Sequence, residues 1–260
     1  MILILCFRIY VVKQLEEKGF RLIEEDPKKT VLAKEKGIQR IDIQSGKNTI
    51  YGNWLEINGE AHSVFILHGD NENLSEWVDA QLLLSKLGYN SFVFDYSGYG
   101  SSQGKPSTKK LEEDAKNAWE TFYKLSQKSS QRTALAHSLG CAILLASIDT
   151  YKPQPGRVIL HAPFSSLREI CVLFGYADSS WAWMIPDLWN NTKNISKTSN
   201  IPTCIVHSKT DEVVPFSMAE KISRNSKSAK LMTTDGYHHN ALQIDLDSAF
   251  WRQILDCNNN

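Results

Sequence analysis

Residues 133–147 read TALAHSLGCAILLAS: an apolar run, then Ser138 between small residues, then a stretch that favours helix. A buried strand that enters a helix through a sharp turn presents the residue at the apex beyond the end of the sheet, and here that residue is a serine. Small residues are required on both sides of such an apex because strand and helix approach closely, and Ala136 and Gly140 occupy those places. The usual pattern is G-x-S-x-G; alanine is the smallest replacement that keeps a Cβ. Read alone, the same stretch also describes an ordinary β-to-α junction whose serine caps the helix, so its meaning depends on what surrounds it.

Outward from this turn, short β-rich runs recur on both sides: IDIQS, TIYGNWLEI, SVFILHG, SFVFDY, RVILHAP, TCIVHS and KLMTTDG. Most are continuous apolar runs bounded by turns, the pattern of strands buried on both faces in a parallel sheet rather than of one-sided strands that alternate with period two. The segments between them read as helices. In LEEDAKNAWETFYKL, Leu111, Ala115, Ala118, Trp119, Phe122 and Leu125 fall along one stripe, the spacing of a helix laid on a sheet. The fold class expected is α/β: a mainly parallel, doubly wound sheet with antiparallel N-terminal edge strands. Residues 1–36 read as an apolar helix and charged linker, and 37–260 as the main domain, with an insertion at about 163–200.

Ligands of an open α/β sheet bind beyond the carboxyl ends of its strands, and those ends carry reactive residues here. After SVFIL stands His68-Gly69-Asp70-Asn71-Glu72, where the backbone N–H of Asp70 would form an oxyanion hole with that of Leu139, the residue after the serine. After TCIV stands Asp211, a carboxylate able to fix the tautomer of a histidine, with Glu212 as the alternative. After KLMTT comes Gly236-Tyr237-His238-His239-Asn240, a loop with two histidines. Serine, then acid, then histidine is the chain order of a hydrolytic triad on this type of sheet. Spacing alone does not choose between His238 and His239. No third ligand stands near that pair at metal spacing, so neither metal nor cofactor is expected.

Composition narrows the partners. Among 260 residues, 29 Lys and Arg balance 29 Asp and Glu, which leaves no net field for nucleic acid or an acidic surface. The five cysteines are widely spaced, form no CxxC pair and are odd in number, which argues against a disulfide framework and for a reducing, cytoplasmic setting. Three N-x-S/T sequons, at Asn73, Asn190 and Asn194, would matter only in a secreted chain. The opening MILILCFRIYVV is apolar but stops well short of the roughly 20 residues that span a bilayer. Packing against the domain or peripheral membrane contact through residues 1–12 are the two readings it supports.

From about Gly37 onward the sequence resembles the α/β-hydrolase-domain family, in particular its membrane-associated branch of protein depalmitoylases and monoacylglycerol or lysophospholipid lipases. The most specific stretch is Phe94-Asp95-Tyr96-Ser97-Gly98-Tyr99-Gly100-Ser101-Ser102-Gln103-Gly104-Lys105-Pro106-Ser107, which looks like that branch's D-Y-x-G-Y-G-x-S-x-G-x-P-S loop. Gly98, Gly100 and Gly104 are spaced one residue too long for a dinucleotide loop. The resemblance implies that the catalytic histidine is the one directly before an asparagine, His239. This chain departs from the branch at Ala136 for glycine, at Ser208 for glycine and at Asp70, where asparagine is common. A carboxylate beside a developing oxyanion would oppose catalysis unless it points away.

The insertion after RVILHAP carries Phe174, Tyr176, Trp181, Trp183, Met184 and Trp189. In this fold it forms a cap, and of its aromatic residues Phe174, Trp181 and Trp183 are the expected lining of an apolar acyl pocket. The function expected is serine hydrolysis of a carboxylic ester or thioester. The alternatives are a peptidase of the same fold and a catalytically silent protein that binds a lipid or partner through the same pocket.

Overall fold

The computed structural model describes Arg8, residues 10–14, residues 16–17 and residues 19–257. Eight strands form one sheet: β1 (Gln39–Ser45), β2 (Asn48–Leu55), β3 (Ser63–Leu67), β4 (Asn90–Phe94), β5 (Arg132–His137), β6 (Arg157–His161), β7 (Thr203–Ser208) and β8 (Lys230–Thr234), in the order β1-β2-β4-β3-β5-β6-β7-β8. From β4 to β8 all neighbours run parallel, while β2 lies antiparallel to both β1 and β4. Each run singled out in the sequence is a strand. Strands β3, β4, β6 and β7 are buried at every residue, which accounts for their unbroken apolar composition. The two edge strands, β1 and β8, leave most of their residues exposed or partly exposed.

Side chains alternate across the sheet and feed two cores. Phe65 and Leu67 of β3 point into one with Phe92, Phe94, Trp119 and Phe122, while Val64 and Ile66 point into the other with Trp77, Phe250, Trp251 and Ile254. From Pro27 onward, the helices longer than one turn among the described residues are α1 (Pro27–Glu35), α2 (Val78–Lys86), α3 (Thr108–Leu125), α4 (Leu139–Ser147), α5 (Leu167–Leu173), α6 (Phe216–Arg224) and α7 (Ser248–Asp256). The stripe read on α3 is core: Leu111, Ala115, Ala118, Trp119 and Phe122 are fully buried, and Leu125 packs at its margin.

The apolar opening run falls largely outside the described residues, but Val11 is buried against Cys171, Ala177, Ala182 and Ile185. The charged stretch that follows contains the mostly exposed helix α1. Residues 19–26, just before α1, cross the domain surface without regular structure and are tied to it by hydrogen bonds, from Arg21 N–H to Asp70 and from the Asn73 amide to the carbonyls of Ile23 and Glu24. Among the described residues no helix is long and apolar enough to cross a membrane.

One expectation is corrected. Cys204 on β7 and Cys257, just after α7, form a disulfide across 53 residues of sequence. The wide spacing and odd number of the cysteines argued against a disulfide framework and for a reducing setting, but packing brings these two distant residues together. The loop it closes corresponds to about 4 kcal/mol of denatured-state entropy in the chain-closure picture. Cys257→Ser is therefore expected to lower the unfolding free energy by an amount of that order, measured by urea titration, and dithiothreitol should have no further effect on that variant.

Candidate active site

The site assembles where β5 ends. Ser138 adopts φ 50°, ψ −111°, outside the regions that L-residues prefer, and its N–H donates to the carbonyl of His161 at 2.9 Å. That bond fixes the turn against the end of β6. The close approach predicted for the small residues falls on Gly140: a Cβ there would stand 2.2 Å from the Leu67 carbonyl oxygen, a backbone atom that cannot move aside. Ala136 is fully buried and its methyl is accommodated, so alanine at the first small position leaves the turn intact.

His239 lies on the loop after β8, and its Nε2 is 3.0 Å from Ser138 Oγ. Its Nδ1 is 2.8 Å from Asp211 Oδ2. A carboxylate oxygen only accepts, so the Nδ1 position carries the hydrogen and Nε2 is left bare, ready to accept the serine proton. Asp211 is held by four groups: the N–H groups of Val213 (2.9 Å) and Val214 (2.8 Å) on Oδ1, and His239 together with the buried His207, 3.1 Å away, on Oδ2. Burial alone would raise its pKa, but the hydrogen bonds from His207 and His239 prevail and hold it well below the usual carboxylate range. His239 is shifted the other way. Burial lowers its pKa below 6.5, against the pull of Asp211.

His238, the neighbouring candidate, does not join this group. Its side chain is 75% exposed and sits 3.4 Å from Glu212, whereas that of His239 is 6% exposed. Glu212, the alternative acid, instead accepts the backbone N–H of His239 at 3.2 Å. Of the two histidines between which spacing does not choose, the loop turns the ring of His239 inward and that of His238 toward solvent.

The loop after β3 faces the serine, and its peptide planes are fixed from behind. His68 Nδ1–H donates to the Gly69 carbonyl at 2.7 Å, so the N–H of Asp70, trans to that carbonyl across one peptide, points the opposite way. His68 is itself paired with Asp95 at 3.4 Å, both fully buried. Glu72 accepts Gly69 N–H at 2.8 Å and Trp77 Nε1–H at 2.9 Å, and lies 3.2 Å from His137 Nε2. Burial would raise the Glu72 pKa, but His137, His68 and the Gly69 N–H bring it down to about 2, so it is a carboxylate at neutral pH. A Cβ on Gly69 would meet Glu72 at 2.7 Å, which is why glycine stands there.

The glycine-rich loop quoted above is the support for this arrangement. Tyr96 donates to the His68 carbonyl at 3.0 Å, and Tyr99 donates to Asp70 Oδ1 at 2.7 Å. The same Asp70 oxygen accepts Arg21 N–H at 2.9 Å. The carboxylate that departs from the resembled branch is therefore engaged by two donors on the side of the N-terminal segment and the tyrosine.

Above the serine lies an apolar cavity lined by Ser138, Leu139, His239, Phe164, Ile170 and Trp189, among others. Of the three aromatic residues expected there, Phe174 lines it, while Trp181 and Trp183 do not. They stand at a single turn: Trp181 packs in a small cluster with Val11 and Cys171, and Trp183 is exposed. The sequence did not single out Glu72, His137 or His207, whose roles come from contacts across the sheet. One signal existed for His137 and His161: both close apolar runs at adjacent strand ends, and their Nδ1 atoms meet at 2.9 Å. Among the described residues, no group of three or more His, Cys, Asp or Glu is arranged to hold a metal ion.

Comparison with known proteins agrees with this architecture. The uncharacterized protein YfhR of Escherichia coli O157:H7 is 30% identical over 193 residues, which cover 73% of this chain and 67% of that one. Alpha/beta hydrolase domain-containing protein 17B of Xenopus laevis is 29% identical over 189 residues, covering 70% of this chain and 62% of that protein. The chain thus spans roughly two thirds of the length of these curated relatives. The crystal structure of an alpha-beta hydrolase from Vibrio vulnificus shares the fold, with a TM-score of 0.76 at 20% identity over 96% of this chain and 93% of that one. Residues 60–192, just over half of the sequence, match the family described as serine aminopeptidase, S33. The chain belongs to that family of α/β hydrolases.

Proposed function

We propose that the protein is a serine hydrolase that cleaves a carboxylic ester or thioester of an acyl or lipid-like substrate. One observation carries this reading: the hydrogen-bonded series Asp211, His239, Ser138 opens onto the floor of an apolar cavity. Ser138 Oγ attacks the substrate carbonyl carbon while its proton passes to His239 Nε2, and the imidazolium is stabilised by Asp211. The backbone N–H groups of Asp70 and Leu139 receive the negative charge that develops on the carbonyl oxygen. Leu139 opens α4, where a backbone N–H has no helical partner. Collapse of the tetrahedral species transfers the proton from His239 to the departing alcohol or thiol. Water then attacks the acyl-enzyme, losing its proton to His239, and Ser138 is regenerated with release of the acid.

An aminopeptidase, the activity in the family's description, is the second reading. A free amino terminus needs an unengaged carboxylate near the serine. Both carboxylates that line the cavity are taken: Glu16 by the N–H and hydroxyl of Thr108 (2.8 and 3.0 Å), and Asp70 by Tyr99 and Arg21. That favours an uncharged acyl substrate. Labelling by a fluorophosphonate, together with a panel of fatty-acyl and aminoacyl reporter substrates, tests the proposal. Ester or thioester turnover with labelling is expected; cleavage of aminoacyl reporters alone would establish the peptidase, and folded protein that takes no label would establish a silent binding protein.

The pH profile follows from His239. The base must be neutral to accept a proton, and burial holds its pKa below 6.5. Ester hydrolysis is therefore expected to rise along an acidic limb with its midpoint below pH 6.5 and to be level by neutral pH. A kcat/KM limb centred above that value would contradict the assignment.

A further inference from the structure

The cavity over Ser138 has a wall that the hydrolase sheet does not supply. Val12, Glu16, Gly19, Phe20 and Arg21 line it together with Ser138 and His239, although all five precede β1 and lie outside the matched family region. This segment is anchored along its length. Glu16 accepts the N–H and hydroxyl of Thr108, the Arg21 N–H donates to Asp70, the Asp26 N–H donates to Ser75 Oγ at 3.0 Å, and the Glu25 carboxylate pairs with Arg40 at 2.8 Å. Val11 is buried in the cap. Between the two anchors at Glu16 and Arg21, Phe20 meets Trp189 edge-on, with ring centroids 6.3 Å apart. Trp189 is itself fixed by donation from its Nε1 to Glu112 at 2.8 Å.

We propose that this N-terminal strap is part of the substrate site, and that Phe20, packed against Trp189, sets the length of the acyl chain the cavity accepts. The inference rests on the ester or thioester reading above. An apolar chain attached at Ser138 has to run between cap and strap. Phe20 and Trp189 are the aromatic pair that joins those two walls, and a strap fixed on both sides of Phe20 does not retreat before a longer chain. The strap also explains the acid at position 70: a carboxylate oxygen there accepts from the strap backbone and from Tyr99 at once.

The test is a chain-length profile on the full-length protein. Wild type, Phe20→Ala and Phe20→Trp are compared on p-nitrophenyl butyrate, octanoate, dodecanoate and palmitate, and each kcat/KM is divided by the butyrate value of the same variant. Phe20→Ala should raise the palmitate-to-butyrate ratio by about tenfold or more, since each additional buried methylene favours binding several-fold. Phe20→Trp should move the preference toward butyrate. Identical profiles in all three proteins overturn the proposal while leaving the hydrolase reading untouched. If wild type cleaves no ester and takes no fluorophosphonate, the hydrolase reading falls by itself, and displacement of bound cis-parinaric acid by octanoic and palmitic acids reads the cavity directly. A palmitic-to-octanoic preference that rises in Phe20→Ala then supports the strap as the length-setting wall, and an unchanged preference overturns it.

Discussion

Ser138→Ala is expected to lower kcat on a cleavable ester by about a millionfold while the protein stays folded, the scale seen when the serine of a hydrolytic triad is removed. Steady-state turnover checks the first half and circular dichroism the second. The effect should be all-or-none because the lost hydroxyl is the atom that forms the acyl bond, and no other hydroxyl lies within hydrogen-bond reach of His239 Nε2 among the described contacts. Alanine is the suitable replacement. It keeps a Cβ at a position whose backbone already tolerates one at φ 50°, so the turn is not relaxed and the measured loss belongs to the chemistry. Retention of wild-type turnover would remove Ser138 from the mechanism.

The second large effect separates two adjacent residues. His239→Ala should reduce kcat by a similar factor, since removing the base of a triad costs about as much as removing the nucleophile. It also leaves the Asp211 carboxylate buried with one fewer donor, so a loss of thermal stability should accompany the loss of rate. His238→Ala should leave both unchanged, because that ring is exposed and pairs with the partly exposed Glu212 carboxylate at 3.4 Å. Parallel kcat and melting measurements on the two variants give the answer. Loss in the 238 variant alone would mean that the loop turns the other ring toward Ser138 during turnover.

The contrast shows which parts of the site the sequence carried. The inner strands β3 to β7 were legible because a parallel sheet buried on both faces leaves a local mark, a short unbroken apolar run. Ser138, Asp211 and His239 could be singled out because Ser138 directly follows β5 and the other two stand a few residues past the ends of β7 and β8. The decision between His238 and His239 was not, since both stand in the same loop at equivalent distance from β8; it came from the resemblance and agrees with where the rings lie. The charge of Asp70 looked adverse when only its position was known. Its partners, Tyr99 and the Arg21 backbone, come from 29 and 49 residues away, and no local pattern announces them.

The walls of the cavity were read least well. Trp181 and Trp183 were singled out for composition, yet neither lines the cavity over Ser138. Phe20 was passed over because it stands in a charged stretch without apolar periodicity, where a residue is placed by its tethers rather than by its helix or strand. Cys204 and Cys257 were likewise too far apart in sequence for their pairing to be read.

The backbone at Ser138 sets a limit on how this fold can be improved. A side chain held at positive φ in a sparsely populated region costs on the order of 1–3 kcal/mol, and the surrounding sheet has to supply it. Selection for thermal robustness alone would favour glycine at this place, because glycine accepts the conformation freely. That exchange would erase the hydroxyl. The position therefore sets a hydroxyl against backbone strain, and an engineered gain in stability that keeps the hydroxyl should be sought outside this turn.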